Sequence, residues 1–383
     1  MFPSNLLSDL RIRQDAMLAS LKALVERESP SKDKQALDSL AAYMRNQLQA
    51  VADDVDLINN PNGGNHVLAR FRPQEEDAAA MPPALVIGHF DTVWPLGTLA
   101  DRPFRVEGER AYGPGIFDMK ASLVLIEFAL AAPRLLGLPQ TRPIHVLLTS
   151  DEEIGSPTSR RLIEQHAKGC AYVLVLEPPL PGGRLKTARK GVGGFTVEIE
   201  GRAAHAGIEP EKGISAVLEL AHQIIKVHQL ADPKSGTTVS VGVIQGGSTT
   251  NVIPAQATAR LDVRVTSMDE AKRIETALRA LQPVTTGAKL TVNGGFNRPP
   301  MERTPAVAGL FDRAKGIGRT LGLDLTEGST GGASDGNFTA ALGLPTLDGL
   351  GVPGAGAHAV DEHILVASLP ERAALLAALL SGL

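Results

Sequence analysis

The sequence predicts an α/β protein, with a mixed, largely parallel sheet, helices on both of its faces and an inserted βαββαβ domain. Three observations predict it. Short continuous apolar runs, ALVIGHF, IHVLLTS and YVLVLEP, alternate with helical stretches such as Met119–Ala132 and Pro157–Lys168, as buried parallel strands alternate with their crossover helices. Beyond Lys190–Gly191 the texture changes to strands that alternate apolar and polar residues, interrupted by two amphipathic helices. Gly- and Pro-containing stretches, KGVGG and NRPPMERTP, bracket that region, which marks an insertion.

Taken in order, Leu6 to about Val25 and Ala36 to about Val51 repeat apolar residues every three or four positions with charges between them, the signature of outer amphipathic helices. The three apolar strands and their helices follow. Then FTVEIEG is a strand, Ile214–Leu230 a helix, TTVSVGVIQGG and ATARLDVRVTS two strands, Met268–Leu281 a helix and KLTVNGG a last strand. That order is the ferredoxin-like, split-βαβ arrangement. The chain then returns to the first domain with a helix from Pro305 to about Leu321, the GGASDGNF loop and a closing helix from Leu369. The expected division is 1–191 and 297–383 for the first domain and 192–296 for the insertion. A length of 383 residues with 43% hydrophobic content suits two cores better than one.

Composition excludes several classes of function. The 38 basic and 42 acidic residues are interspersed and leave a net charge of −4, which gives no electrostatic footprint for nucleic acid or an anionic membrane. A small-molecule substrate is the expectation. No run approaches the ~18 uncharged apolar residues that span a bilayer. The first turns carry charge throughout, unlike a secretory signal, and the expected location is cytoplasmic. Cys170 is the only cysteine, so it is expected as a buried thiol, and His and carboxylates must supply any metal ligands.

Five separated segments each place such a side chain just beyond an apolar run or in a tight loop. They hold His89 and Asp91 (GHFD), Asp118 (GPGIFDMK), Glu152 and Glu153 (TSDEEIG), Glu177 (VLVLEP) and His358 (PGAGAHAVDEH). In α/β sheets ligands bind beyond the carboxyl ends of strands. Zinc takes imidazole nitrogen and carboxylate oxygen, and a two-metal site makes a nucleophile of water near neutral pH. His89 and Asp91, two apart at a strand end, suit a carboxylate orienting a ligating imidazole. Asp118 either caps the following helix or bridges two metals. Of the adjacent pair, one can ligate while the other serves as general base. We assign the base to Glu152 and the ligand to Glu153, although position alone does not order them. In the inserted region, His205 suits a hydrogen-bond donor to a developing oxyanion, and Arg264, with Asn251 on a neighbouring strand, suits a carboxylate clamp.

These motifs, GHFDTVWPLG, YGPGIFDMKAS, SDEEIGS, LEP, GRAAHAG, TNVIPAQATARLDVR and GGASDGNF with PGAGAHAVDEH, resemble in order those of the co-catalytic zinc metallopeptidases. That family includes glutamate carboxypeptidase, acetylornithine deacetylase and succinyl-diaminopimelate desuccinylase, and the glutamate carboxypeptidases are the nearest in flavour. The resemblance implies two zinc ions per subunit: His89 and Glu177 on one, Glu153 and His358 on the other, and Asp118 bridging. It implies Asp91 as the partner of His89, Glu152 as base and proton shuttle, and attack of zinc-bound hydroxide on an amide carbonyl. The inserted domain would be a lid and homodimerisation domain, with His205 reaching the partner subunit's site, Asn251 nearby and Arg264 on the substrate carboxylate. Backbone amides of the loop through Gly331, Gly332 and Ser334 would help to hold the substrate. The expected activity is release of a C-terminal amino acid, glutamate, from an N-acyl, peptidyl or folate-like substrate. Deacylation of a small N-acyl amino acid is the alternative within the same mechanism, and a metal-dependent binding protein without turnover is the alternative outside it.

Overall fold

The computed structural model describes residues 6–383, apart from the side chains of 133–135. The first amphipathic stretch forms two helices rather than one, α1 (Leu6–Ile12) and α2 (Gln14–Val25), because the backbone leaves helical geometry at Arg13. The break lets Leu6 and Leu10 of one helix and Met17, Leu21 and Leu24 of the other all be buried. Helix α3 (Lys34–Gln49) starts on Asp33, whose side chain accepts from the Ala36 N–H, an N-cap. Then follow β1 (Asp54–Ile58), β2 (His66–Phe71), β3 (Ala84–His89), α4 (Ala121–Leu136), β4 (Ile144–Thr149), α5 (Arg160–Ala167) and β5 (Tyr172–Val175). The next group is β6 (Gly191–Glu200), α6 (Ala216–His228), β7 (Thr238–Gly246), β8 (Gln256–Val265), α7 (Met268–Arg279) and β9 (Lys289–Arg298). The chain closes with α8 (Pro305–Thr320), α9 (Gly336–Ala341), β10 (Thr346–Leu347) and α10 (Ser368–Gly382).

Two compact units result. One holds the chain up to Ala188 with Arg303–Thr330 and Ser334–Leu383; the other holds Arg189–Glu302 with Gly331–Ala333. In the first, a six-stranded sheet runs β1-β2-β4-β3-β5-β10. Strand β3 lies parallel to β4 and β5, β10 is parallel to β5, and β2 and β1 add an antiparallel ribbon at one edge. The central strands are mostly apolar and, except for the half-buried His145 in β4, buried, as a sheet covered on both faces requires. Helix α10, buried from Leu369 through Ser381 except at Glu371, packs against α4 and α1. Because β3, β4 and β5 are parallel neighbours, their carboxyl ends come out side by side.

In the second unit the four antiparallel strands run β7-β8-β6-β9, and α6 and α7 pack on the sheet. Strands β6 and β8 alternate buried and outward residues, the two-residue period of a sheet with one core face. The Gly-rich stretch expected as a bracket is the start of β6, and β9 runs on to Arg298. Glycines there lack side chains but keep their amides, so they still pair with β8. Cys170 is buried, its thiol pushed up to about 11 by desolvation.

Candidate metal centre

His89 ends β3 and is 2% exposed. Its Nδ1 lies 3.1 Å from the Asp91 main-chain oxygen, so the ring proton sits on Nδ1 and the Nε2 lone pair points outward. Nε2 then meets Asp118 Oδ1 at 3.2 Å and Glu177 Oε1 at 3.4 Å. Three electron-rich atoms converge on one point, an arrangement that only a cation between them can stabilise. A proton answers that demand in part: burial opposes charging the ring, yet the hydrogen bonds to Asp118, Asp91 and Glu177 hold His89 well above its usual range. A divalent ion answers it with the ligand chemistry these atoms have.

On the other side, His358 Nε2 lies 3.1 Å from Glu153 Oε2 and 3.6 Å from Asp118 Oδ2. Its pKa is pushed up to about 9, first by the hydrogen bond to Glu153. Asp118 thus turns one oxygen toward each histidine, the disposition of a bridging carboxylate. It caps nothing: α4 begins three residues later, after Lys120, with no side-chain cap. The helix expected from Met119 therefore starts at Ala121, because the backbone at Asp118 and Met119 is not helical. The ligand atoms of His89, Asp118 and Glu153 lie within 4.8 Å of one another, as do those of His89, Glu152 and Glu177.

Asp91 is fully buried and takes the amides of Glu152 and Glu153 on its two oxygens, at 3.1 and 3.2 Å. Its Oδ1 also lies 3.4 Å from His89 Nδ1, so one carboxylate orients His89 and fixes the turn that presents both acids. Asp151, the third of the adjacent acids, turns away from the centre. Its Oδ2 accepts from the Thr158 amide and hydroxyl and from the Ser159 amide ahead of α5, which removes the repulsion that three acids in a row would otherwise suffer.

The inserted-region candidates lie in the second unit. His205 is exposed, and its Nδ1 accepts from the amides of Gly207 and Ile208. A neutral ring so held carries its proton on Nε2 as a donor. Asn251 is tied to the His205 turn through its carbonyl, which accepts from the Ala206 amide. Arg264 forms the ordinary strand ion pair with Asp262, at 3.0 Å, and donates to the Gly331 carbonyl. Ser334, in the first unit, corrects one expectation: its amide is taken by Asn337 Oδ1 and its hydroxyl by Asp348. It is fully buried.

Sequence reasoning missed Glu362. This buried carboxylate accepts from the Gly115 amide and the Trp94 indole on Oε2, both at 2.8 Å. Its Oε1 accepts from the amides of Phe117 and Asp118, at 2.9 and 3.1 Å. The available signal was a glycine-rich turn, YGPG, whose amides need an acceptor, and an acid four residues beyond His358. His66 was also missed; it is buried and bonded to Ser150 and Thr158 beneath the strand ends. Burial lowers its pKa against the pull of Asp151, Asp335 and Asp91.

The pattern of peptidase family M20/M25/M40 matches residues 85–382. Carboxypeptidase G2 of Pseudomonas sp. (strain RS-16) is 30% identical over 380 residues, 97% of this chain and 90% of that protein. Succinyl-diaminopimelate desuccinylase of Verminephrobacter eiseniae is 28% identical, with 78% of each chain covered. Among solved structures, aminopeptidase PepT of Bacillus cereus superposes with a TM-score of 0.80 at 21% identity, covering 96% of this chain and 98% of that one.

Proposed function

The chain belongs to peptidase family M20/M25/M40 and is a hydrolase of peptide bonds, and on that premise we propose a two-zinc carboxypeptidase that releases a C-terminal glutamate from N-acyl, peptidyl or folate-like substrates. The observation that carries this reading is Asp118, one oxygen toward His89, which Glu177 also meets, and the other toward His358, which Glu153 also meets. Two zinc ions, held by His89 and Glu177 and by Glu153 and His358 with Asp118 between, would polarise the amide carbonyl and acidify a water. Glu152 removes the proton of the attacking water and returns it to the leaving amine. Asp91 keeps His89 in the tautomer that leaves Nε2 to ligate. His205, with its proton on Nε2, donates to the carbonyl oxygen as charge develops there. Arg264 exchanges Asp262 for the substrate carboxylate, Asn251 lies beside His205, and the amides of Gly331 and Gly332 add donors.

We place His205 across a homodimer formed by the inserted domain. Supporting this, β7 is an edge strand exposed along most of its length, with Val243 and Ile244 outward, and α6 exposes Leu218 and Ile225. Exposed apolar residues on an edge strand and on the helix packed beside it suit an interface.

One observation favours keeping the N-acyl amino acid deacylase as a second reading. Neither Trp94 nor Tyr112 is open on both faces for a pterin. Arg102 lies 3.7 Å over Trp94, and Arg105 lies 4.2 Å over Tyr112, whose ring also packs on His363. The deciding experiment is a hydrolysis panel with the zinc-loaded protein: folate and methotrexate, N-acyl glutamates, dipeptides, N-acetylornithine and N-succinyl-diaminopimelate. Fastest glutamate release from the first two groups is expected, and preference for the last two would transfer the chain to the deacylases. Glu152→Gln is expected to abolish turnover on every substrate while two equivalents of zinc stay bound.

A further inference from the structure

We propose that Glu362 is a positioning residue that locks the three loops of the metal centre into one frame and chiefly sets affinity for the zinc held by His358. The inference rests on the two-metal reading above and concerns how that site is held.

Glu362 is 2% exposed and appears in neither cluster of ligand atoms. Its two oxygens accept four hydrogen bonds, two each. The donors come from two other segments that carry metal residues: the 113–118 turn, through three amides that end on Asp118, and the 89–94 loop, through the Trp94 indole. Glu362 itself lies four residues beyond His358. One carboxylate therefore joins the segments of His89, Asp118 and His358.

The surroundings are built to that geometry. Gly115 has φ +70°, and a Cβ there would lie 2.4 Å from Thr92 Cγ2. Gly356 has φ +80°, and a Cβ there would come within 2.9 Å of the Glu362 Cα. His358, also in left-handed geometry at φ +61°, sits in the turn that links them. Arg102 stacks on Trp94 and donates to the Ala359 carbonyl at 3.4 Å, a second tie between the same two loops.

The asymmetry between the metals follows from what else supports each histidine. His89 ends a buried strand and is fixed by Asp91, and Glu177 lies two residues beyond β5. His358 has a half-exposed ring in the turn of a short hairpin, between the paired strands Gly354–Ala355 and His363–Leu365. Loss of the Glu362 clamp leaves that turn held at its ends by strand pairing and by Arg102, and so looser about His358, while the longer buried strands go on holding His89 and Glu177.

The test is zinc titration of the full chain against a competing chelator, comparing the parent with Glu362→Gln. The amide keeps the size of the side chain but sets an NH2 against two N–H donors. Expected is a 10–100-fold weaker second equivalent, the same equivalent that His358→Ala loses, with the first nearly unchanged. Two equivalents at parental affinity would overturn the proposal. So would equal weakening of both that tracks a lower unfolding midpoint of the metal-free protein, the mark of a merely structural role. Should Glu362→Gln fail to fold, Trp94→Phe, which removes one donor, must weaken the same equivalent by a smaller factor, and unchanged affinity there overturns the proposal. A parent that binds fewer than two equivalents would instead refute the two-metal reading itself.

Discussion

At the scale of single residues, the site is organised by carboxylates that do not ligate. Asp91 meets His89 and two backbone amides at once, so Asp91→Asn, which makes one of those contacts repulsive, is expected to cost 10–100-fold in zinc affinity by chelator competition. Gly351 has a comparable hold on Glu177. Its amide donates to the Glu177 carbonyl, and a Cβ there would lie 2.2 Å from Ser122 Oγ and 2.8 Å from the Glu177 carbonyl oxygen. Gly351→Ala is expected to displace Glu177 and weaken the zinc shared with His89, read in the same titration. His205→Ala is expected to lower kcat by about 10²–10³ with little change in KM; an effect confined to KM in steady-state kinetics would reject the oxyanion role. The chemistry-bearing residues were legible because metal-ligating types stood beyond apolar runs. Glu362 was not, because an acid recruited by the amides of a turn 244 residues away leaves no local pattern.

At the scale of elements, parallel pairing of β3 with β4 and β5 brings His89, Glu152, Glu153 and Glu177 to one end of the sheet. The strands were legible from their uninterrupted apolar composition. Helix boundaries were less so: the break at Arg13 and the start of α4 at Ala121 are set by packing and by the Asp118 turn, which tertiary contacts impose. Helix α7 carries a prediction. Its Ser267 cap accepts from the Glu270 amide, and the Glu270 carboxyl is drawn down to about 2 by Arg273 and then by Thr237. Its folded pKa lies below the unfolded value near 4.5. The stabilisation is therefore full above that value and is lost as pH falls toward about 2. Glu270→Gln is expected to lower the unfolding midpoint at neutral pH, and its difference from the parent should shrink on acidification. A difference constant across that range would reject the linkage.

For the whole molecule, the proposed homodimer predicts a dimeric mass by light scattering at micromolar concentration, and Ile244→Asp on the β7 edge should shift it toward the monomer; a monomeric parent would reject the interface. No helix among the described residues is long and apolar enough to cross a membrane. Taken alone, the sequence determined the α/β class, the βαββαβ order of the second sheet and the identity of the metal-capable residues, because periodicity and residue chemistry are local properties. Only the tertiary structure decided that Asp118 faces two histidines rather than capping a helix, that Asp151 turns away from its neighbours, that the Ser334 amide is spent on Asn337, and that Glu362 gathers three loops. Each of these is a pairing between side chains and backbone groups whose partners are fixed by where the fold brings distant segments together, and that placement is set by burial and by the need to satisfy buried polar groups.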